Sequence, residues 1–414
     1  MPSHDAIVIG AGLIGAAIAL RLAQEGLRVA VLEKNAPGRE ASWAGAGMLS
    51  PAPDSSASIP LVPFGRASLS LYPQFVAEIE ELSGRRAGYR KDGAIELFFS
   101  ADAERELSTL IALHRALGLP SEPLPLDEAY RAEPGLTRRA RAAAYLGYEG
   151  SVDNRALMEA LLAAARAKGV EILADTQARE VMIEGGRCSG VRARNGDVFA
   201  AREVIVAAGA FSGLLEGIVP KPATRPIRGQ MAALKFSEGP MGHVVRSQHG
   251  YIVPRDSAKP QALVIGSTLE DAGFDKRVTA SGLEKIFSMA QELVPKLAQA
   301  EVSETWSGLR PDTPDHLPLL GPAGVEGLTI ATGHFRNGIL LTPITAKLVR
   351  EWIVDKTVSM DWDVFSPLRF AGAASPDADS GTSSSDPPSG NPTSSNPTSG
   401  NLSGGNPSGA FARK

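Results

Sequence analysis

The sequence predicts an α/β chain in which a parallel-sheet domain is interrupted by an antiparallel β-rich (α+β) domain and followed by a disordered tail. Three observations carry this. A strand, a glycine-rich turn, a helix and a second strand open the chain. Residues 225–269 break instead into short apolar runs separated by turns, the antiparallel pattern. After Phe370 the composition changes to Ser, Gly, Pro, Asn and Asp, too poor in apolar surface to offset the entropy of ordering it.

The opening unit runs from a strand at 6–9 through Gly10-Ala11-Gly12-Leu13-Ile14-Gly15 to Glu33 at the end of a strand at 28–32. Gly10 permits the tight turn, Gly12 keeps a Cβ away from a bound pyrophosphate, and Gly15 lets the helix at 14–25 pack closely on the strand. Free N–H groups at the helix start attract phosphate without a lysine. Glu33 lies about twenty residues beyond the turn, where a carboxylate accepts hydrogen bonds from ribose hydroxyls and repels a 2′-phosphate. This is the Rossmann-like dinucleotide fingerprint. The apolar stretch ends at Arg21, short of the roughly 20 residues that cross a bilayer, and no basic segment precedes it, so neither a membrane span nor a signal peptide is expected.

Beyond this unit, 38–49 is rich in small residues that let backbone approach a ligand, and 51–63 is a proline-rich loop. Helices are expected over 64–82, 101–116, 126–133, 153–168 and 281–293, and strands over 93–99, 170–173, 183–191 and 204–210. Short strands at 228–234, 251–255, 262–268 and 304–310 form the antiparallel part.

With 414 residues and 43% hydrophobic content the chain can bury a large core and divide into two domains. A net charge of −4 without charge blocks gives no electrostatic footprint for nucleic acid, and no basic amphipathic helix marks a stable membrane contact. The one cysteine, Cys188, excludes an internal disulfide and points to a reducing, cytoplasmic setting; it reads as a small filler residue. Six scattered histidines show no ligand spacing, so no metal site is expected.

Four segments then resemble the D-amino-acid oxidase family of FAD enzymes, nearest its glycine-oxidising branch in bacterial thiamine synthesis. They are Ala44-Gly45-Ala46-Gly47-Met48-Leu49, Tyr251-Ile252-Val253-Pro254-Arg255, Trp306-Ser307-Gly308-Leu309-Arg310-Pro311 and Gly333-His334-Phe335-Arg336-Asn337-Gly338-Ile339-Leu340-Leu341. The resemblance covers about residues 6–362. It implies a discontinuous FAD-binding domain (1–85, 150–224, 305–370), a substrate-binding domain (86–149, 225–304) and a disordered tail (371–414). It further implies that Gly10, Gly12, Leu13, Ile14, Gly15, Glu33, Lys34, Ala41, Ser42, Ala46, Gly47, Met48, Ala178 and Gly209 hold noncovalent FAD. His334, Phe335, Arg336, Asn337, Gly338, Ile339 and Leu340 would cap its flavin ring.

On the same resemblance Arg310 holds the substrate carboxylate through two parallel hydrogen bonds, Tyr251 donates another, Arg336 lies on the same side, and His249 stands at the rim. The implied reaction is hydride transfer from Cα of a small amino acid to flavin N5. Imine or oxo acid, ammonia and hydrogen peroxide result, with molecular oxygen as co-substrate. The family also implies a homo-oligomer and a functional link to thiazole synthase. Leu269 replaces a usual methionine, and Ser50-Pro51-Ala52-Pro53 a less proline-rich entrance, which leaves glycine, sarcosine and small D-amino acids open as substrates. Two rival readings remain at this point: a quinone-coupled amino-acid dehydrogenase, and a catalytically silent flavoprotein that serves as a binding partner.

Overall fold

The computed structural model describes residues 4–371 apart from 238 and 256–260. The low-complexity tail therefore lies outside the described residues, except for Ala371.

Among these residues two sheets organise the chain. The first has six strands in the order Leu319–Pro322, Leu328–Thr332, Glu203–Val206, Ala6–Ile9, Val29–Leu32 and Glu171–Leu173, all parallel but the first. Ala6–Ile9, Val29–Leu32 and Leu328–Thr332 are buried along their whole length, as continuous apolar runs require of a sheet covered on both faces. Helices Leu13–Gln24, Leu61–Ser83, Asn154–Ala167 and Gly338–Asp355 share one core on one face. The hairpin Ala178–Glu184 and Arg187–Ala193, with Val198–Ala200, covers the other. Chain order reverses between Ala6–Ile9 and Glu203–Val206, and the crevice outside their C-terminal ends is where such sheets bind ligands.

Helix Leu13–Gln24 is rich in alanine because it is enclosed on nearly every side; Ile18, Leu20 and Leu22 are fully buried, about 1.5–3 kcal/mol each. Asp153 caps Asn154–Ala167 by accepting from the Arg155 and Ala156 N–H groups. The helix expected over 64–82 begins earlier, as Leu61–Ser83. Pro63 occupies its first turn, where the missing N–H has no intrahelical partner to lose.

The second sheet has eight strands in the order Glu301–Asp312, Arg225–Phe236, Gln261–Gly266, Gly250–Arg255, Val244–Ser247, Ala94–Phe98, Ala142–Leu146 and Glu122–Pro123. Its neighbours are antiparallel except Val244–Ser247 beside Ala94–Phe98. Strand Glu301–Asp312 pairs with Arg225–Phe236 over most of its length and so runs through the division expected at 304/305. One face of this sheet (Ile95, Ala143, Ala232, Val245, Ile252, Ile265) packs under helix Ala280–Leu293. The alternate residues form the other face. Strands Ala142–Leu146 and Val244–Ser247 were not expected from the sequence.

Candidate functional site

One cavity of about 930 Å³ runs from the glycine turn to the second sheet. At its first end Gly10 takes φ +106°, and a Cβ there would strike the Ala207 carbonyl across the crevice. A Cβ on Gly15 would be driven into the Gly10 carbonyl oxygen, so Gly15 acts by packing and does not line the cavity. Leu13 N–H donates to Ser42 Oγ (3.0 Å), which leaves the Ser42 hydroxyl proton available to a ligand. Glu33 is 8% exposed, and its two carboxylate oxygens accept from the Ala11 (2.9 Å) and Asn35 (3.2 Å) N–H groups. Burial raises its pKa against these bonds. Lys34 pairs with Glu40 (2.8 Å) and lies 3.2 Å from the centre of the Phe211 ring. Ala178 and Gly209 line the same end.

The middle of the cavity is built by two loops. The first follows the short helix Ala41–Ala44, which is clamped by the Trp306 indole N–H donating to the Ala44 carbonyl (3.0 Å) and by Trp43 set edge-on against Trp306. Gly47 takes φ +78°, with no room for a Cβ against the Val152 carbonyl. Arg255, buried, fixes this loop by donating to the carbonyls of Val152 (2.7 Å) and Ala46 (2.6 Å) and to Asn154 Oδ1 (2.7 Å). The second loop enters helix Gly338–Asp355, whose N-terminus has no side-chain cap and opens on the cavity at Gly338 and Ile339. Tyr72 donates to the Ile339 carbonyl and Ser68 to the Leu340 carbonyl, each at 2.6 Å. Leu340 thereby belongs to the core and is not a lining residue, a correction to the sequence reading that follows from the turn of the helix. His334 Nε2 lies 3.1 Å from Thr345 Oγ1, and burial holds the imidazole down at a pKa of about 4.

At the far end Arg310 Nη1 donates to the Thr268 carbonyl (3.1 Å) and Nη2 to Ser267 Oγ (2.7 Å). Gly229 makes room for it, since a Cβ there would overlap the guanidinium. No carboxylate of the described residues forms a salt bridge with Arg310, and burial pushes its pKa down while Tyr251 opposes that shift. The Tyr251 hydroxyl lies 3.6 Å from Met231 Sδ, beside Gly266, and interacts with the Arg310 guanidinium. Arg336 also lines the cavity, yet its guanidinium is engaged by Asp54 at 3.0 Å, an exposed pair joining the proline-rich loop to the second loop. His249 stands exposed at the rim, and Leu269 is 62% exposed on the wall. Cys188 is buried in strand Arg187–Ala193, away from the cavity, its thiol pushed up to about 11 by burial.

The sequence reading missed a third set. Trp306, Met231, Gly266, Tyr251, Arg246, Glu96 and Ala144 are successive register partners across the second sheet and so share one face. Arg246 donates from Nε (2.9 Å) and Nη2 (2.8 Å) to Glu96 Oε2, and pairs through Nη1 with Glu149 (2.9 Å). Ser50 donates to Glu149 Oε1 at 2.6 Å. His114, 3% exposed, has Nδ1 2.6 Å from Ser121 Oγ. Ser50, Glu96, His114 and Arg246 line the cavity. No motif joins residues so far apart in sequence: cross-strand register brings Arg246 beside Glu96, while Ser50 and Glu149 come from loops and His114 from helix Ala103–Ala116.

The glycine cradles, the enclosed Glu33 carboxylate and two uncapped helix starts opening on one large cavity fit an FAD-sized dinucleotide. The family model DAO, FAD dependent oxidoreductase, matches residues 5–352. The chain is 35% identical over 373 residues to a glycine oxidase of Geobacillus kaustophilus (strain HTA426), covering 89% of this chain and 98% of that one. It is 33% identical over 378 residues to the bifunctional protein ThiO/ThiG of Trichormus variabilis (strain ATCC 29413 / PCC 7937), covering 90% of this chain and 56% of that protein. Its structure is similar to the crystal structure of glycine oxidase from Geobacillus kaustophilus, with a TM-score of 0.83 at 34% identity over 89% of this chain and 99% of that one. On this match, which takes in nearly all of the described residues, the chain belongs to the DAO family of FAD-dependent oxidoreductases.

Proposed function

We propose that the chain oxidises glycine and other small amines, sarcosine and small D-amino acids among them, to the imine or oxo acid with release of ammonia and hydrogen peroxide. The observation that carries this is Arg310: a deep guanidinium, steadied by Ser267 and Thr268, with no carboxylate partner among the described residues and its face open to the cavity. Of the five guanidinium N–H donors one goes to Thr268 and one to Ser267, Tyr251 stands beside the group, and the remaining donors suit a planar carboxylate. Tyr251, whose hydroxyl lacks an oxygen partner among the described residues, would donate to the same anion. Together they orient Cα; such positioning lowers a barrier by several kcal/mol without a protein acid or base, on the order of what oriented reactants gain.

FAD, held noncovalently, would supply the two-electron oxidation of the substrate, with oxygen as final acceptor. Glu33, Ala178 and Gly10 to Ser42 would hold its adenosine diphosphate half, and residues 46–48 and 334–339 its ring. His334 stays a neutral imidazole at neutral pH and moves no proton there. The likeness to a protein named ThiO/ThiG supports thiamine thiazole synthesis as the destination of the imine, with thiazole synthase as functional partner; a homo-oligomer is the working form we propose. We place the protein in the cytoplasm on its single, buried cysteine.

The test mixes purified holoenzyme with glycine, sarcosine and D-alanine, first without oxygen and then with it. Bleaching of the flavin followed by rapid recolouring and peroxide is expected. Bleaching that only a quinone reverses would make the chain a dehydrogenase, and no bleaching with any amine would overturn the reading.

A further inference from the structure

We propose that Glu96, Arg246 and His114 form a side-chain subsite that selects amino acids whose side chain ends in an ammonium or another hydrogen-bond donor. The inference rests on Arg310 and Tyr251 anchoring the substrate carboxylate.

The register row gives the placement. Arg246 is the direct cross-strand partner of Tyr251, and Glu96 that of Arg246. Adjacent strands stand about 4.8 Å apart, so the two residues lie roughly one and two spacings beyond the carboxylate anchor, on the same face. A side chain growing from Cα along the cavity meets this wall.

The chemistry of the wall is one-sided. Two carboxylates share one guanidinium; burial raises the pKa of Glu149, the deeper of the two, while Glu96 lies at the cavity wall. Both Arg246 contacts with Glu96 fall on Oε2, leaving Glu96 Oε1 with no partner among the described residues. Glu96 is 15% exposed at its side chain and lines the cavity, so a charged acceptor oxygen faces the substrate space. His114 supplies a second group: in the tautomer that donates Nδ1–H to Ser121 Oγ (2.6 Å), Nε2 is an acceptor with no partner among the described residues, and the ring is enclosed except at the cavity it lines. Ser50, from the proline-rich entrance segment, braces the cluster by donating to Glu149 and accepting from Arg246 (3.3 Å).

Glu96 Oε1 is the one carboxylate oxygen of the cluster that no donor of the described residues engages, and it faces the cavity, where a donor on the ligand can take the place of solvent. The same wall repels a second carboxylate, since Arg246 is already saturated by Glu96 and Glu149. It also strips water from an apolar side chain's polar surroundings without returning a contact. Cationic side chains are the complementary class.

The experiment measures kcat/KM of the holoenzyme for D-ornithine against D-norvaline, D-lysine against D-norleucine, and D-glutamate. At least one cationic substrate should exceed its apolar counterpart by about tenfold or more, the worth of one charge-assisted hydrogen bond, with D-glutamate below both. In Glu96→Gln that ratio should fall toward one, and in Glu96→Asp it should be partly kept. Equal or better use of the apolar member by the wild-type enzyme overturns the subsite, as does an undiminished ratio in Glu96→Gln. If Glu96→Gln does not fold, His114→Ala must lower the same ratio, and an unchanged ratio there counts against the proposal. Glycine, sarcosine and D-alanine run alongside: if none bleaches the flavin the underlying reading fails as well, whereas their turnover without cationic preference removes the subsite alone.

Discussion

Replacing Arg310 tests the centre of the proposed chemistry. Its guanidinium donates to Thr268 and Ser267, has Tyr251 beside it, and forms no salt bridge with a carboxylate of the described residues, which leaves donors for an anion in the cavity. Two charge-assisted hydrogen bonds at about 1.5–3 kcal/mol each put roughly 3–6 kcal/mol on the substrate carboxylate. Arg310→Ala should therefore lower kcat/KM by about a hundredfold to ten-thousandfold. Arg310→Lys keeps the charge but loses the planar fork, and should fall in between, by about tenfold to a hundredfold. Anaerobic stopped-flow flavin bleaching measures this directly, and the visible spectrum of the purified variant reports FAD retention. Retained FAD is expected, because Glu33 and the glycine turn lie at the other end of the cavity. Both variants within fivefold of wild type would refute the anchor, and a colourless Arg310→Ala protein would assign the residue to cofactor binding instead.

Three more outcomes follow from the geometry. Gly47→Ala combines a φ of +78° with a Cβ directed at the Val152 carbonyl; it should lower stability by about 1–3 kcal/mol and weaken FAD binding, checked by thermal melts and fluorescence titration of the flavin. His334 has a folded pKa of about 4, below its ordinary 6.5, so the unfolded chain binds the extra proton first. Its contribution to stability is full above pH 6.5 and is lost as pH falls toward 4; a His334→Gln protein should show a shallower loss of melting temperature over that window. Asp54→Asn removes an exposed ion pair with Arg336, worth about 0.2–1 kcal/mol; kcat/KM for glycine should change by about fivefold at most, measured by peroxide release.

The opening βαβ unit was legible because every part of it is contiguous: Gly10 and Gly15 each have a local steric reason that the structure keeps, and Glu33 falls at the strand end, where it accepts from the Ala11 and Asn35 N–H groups. Helix Asn154–Ala167 was legible through its periodicity, and Asp153, read as its first residue, is instead its cap. Strand Ala142–Leu146 was hidden by three consecutive alanines, which carry no β signature, and Val244–Ser247 by its brevity. Arg310 and Tyr251 were nameable from their segments, but the partner of Arg336 was not, since Asp54 lies in a loop with no periodicity to place it. Glu96 and Arg246 meet because strands from distant parts of the chain fall into register, and Glu149 joins them from the segment that follows strand Ala142–Leu146.

The alternation of the second sheet has a consequence for how this protein can change. Tyr251, Arg246, Glu96 and Met231 face the cavity, while their immediate neighbours Ile252, Val245, Ile95 and Ala232 face the helix Ala280–Leu293. The chain thus interleaves two jobs residue by residue, one set read by the ligand and the other by the core. Substrate preference can drift by single substitutions at every second position while the intervening side chains keep the sheet folded. A one-residue slip would exchange the two sets at once, so the apolar face under that helix is also what keeps the chemical face aligned.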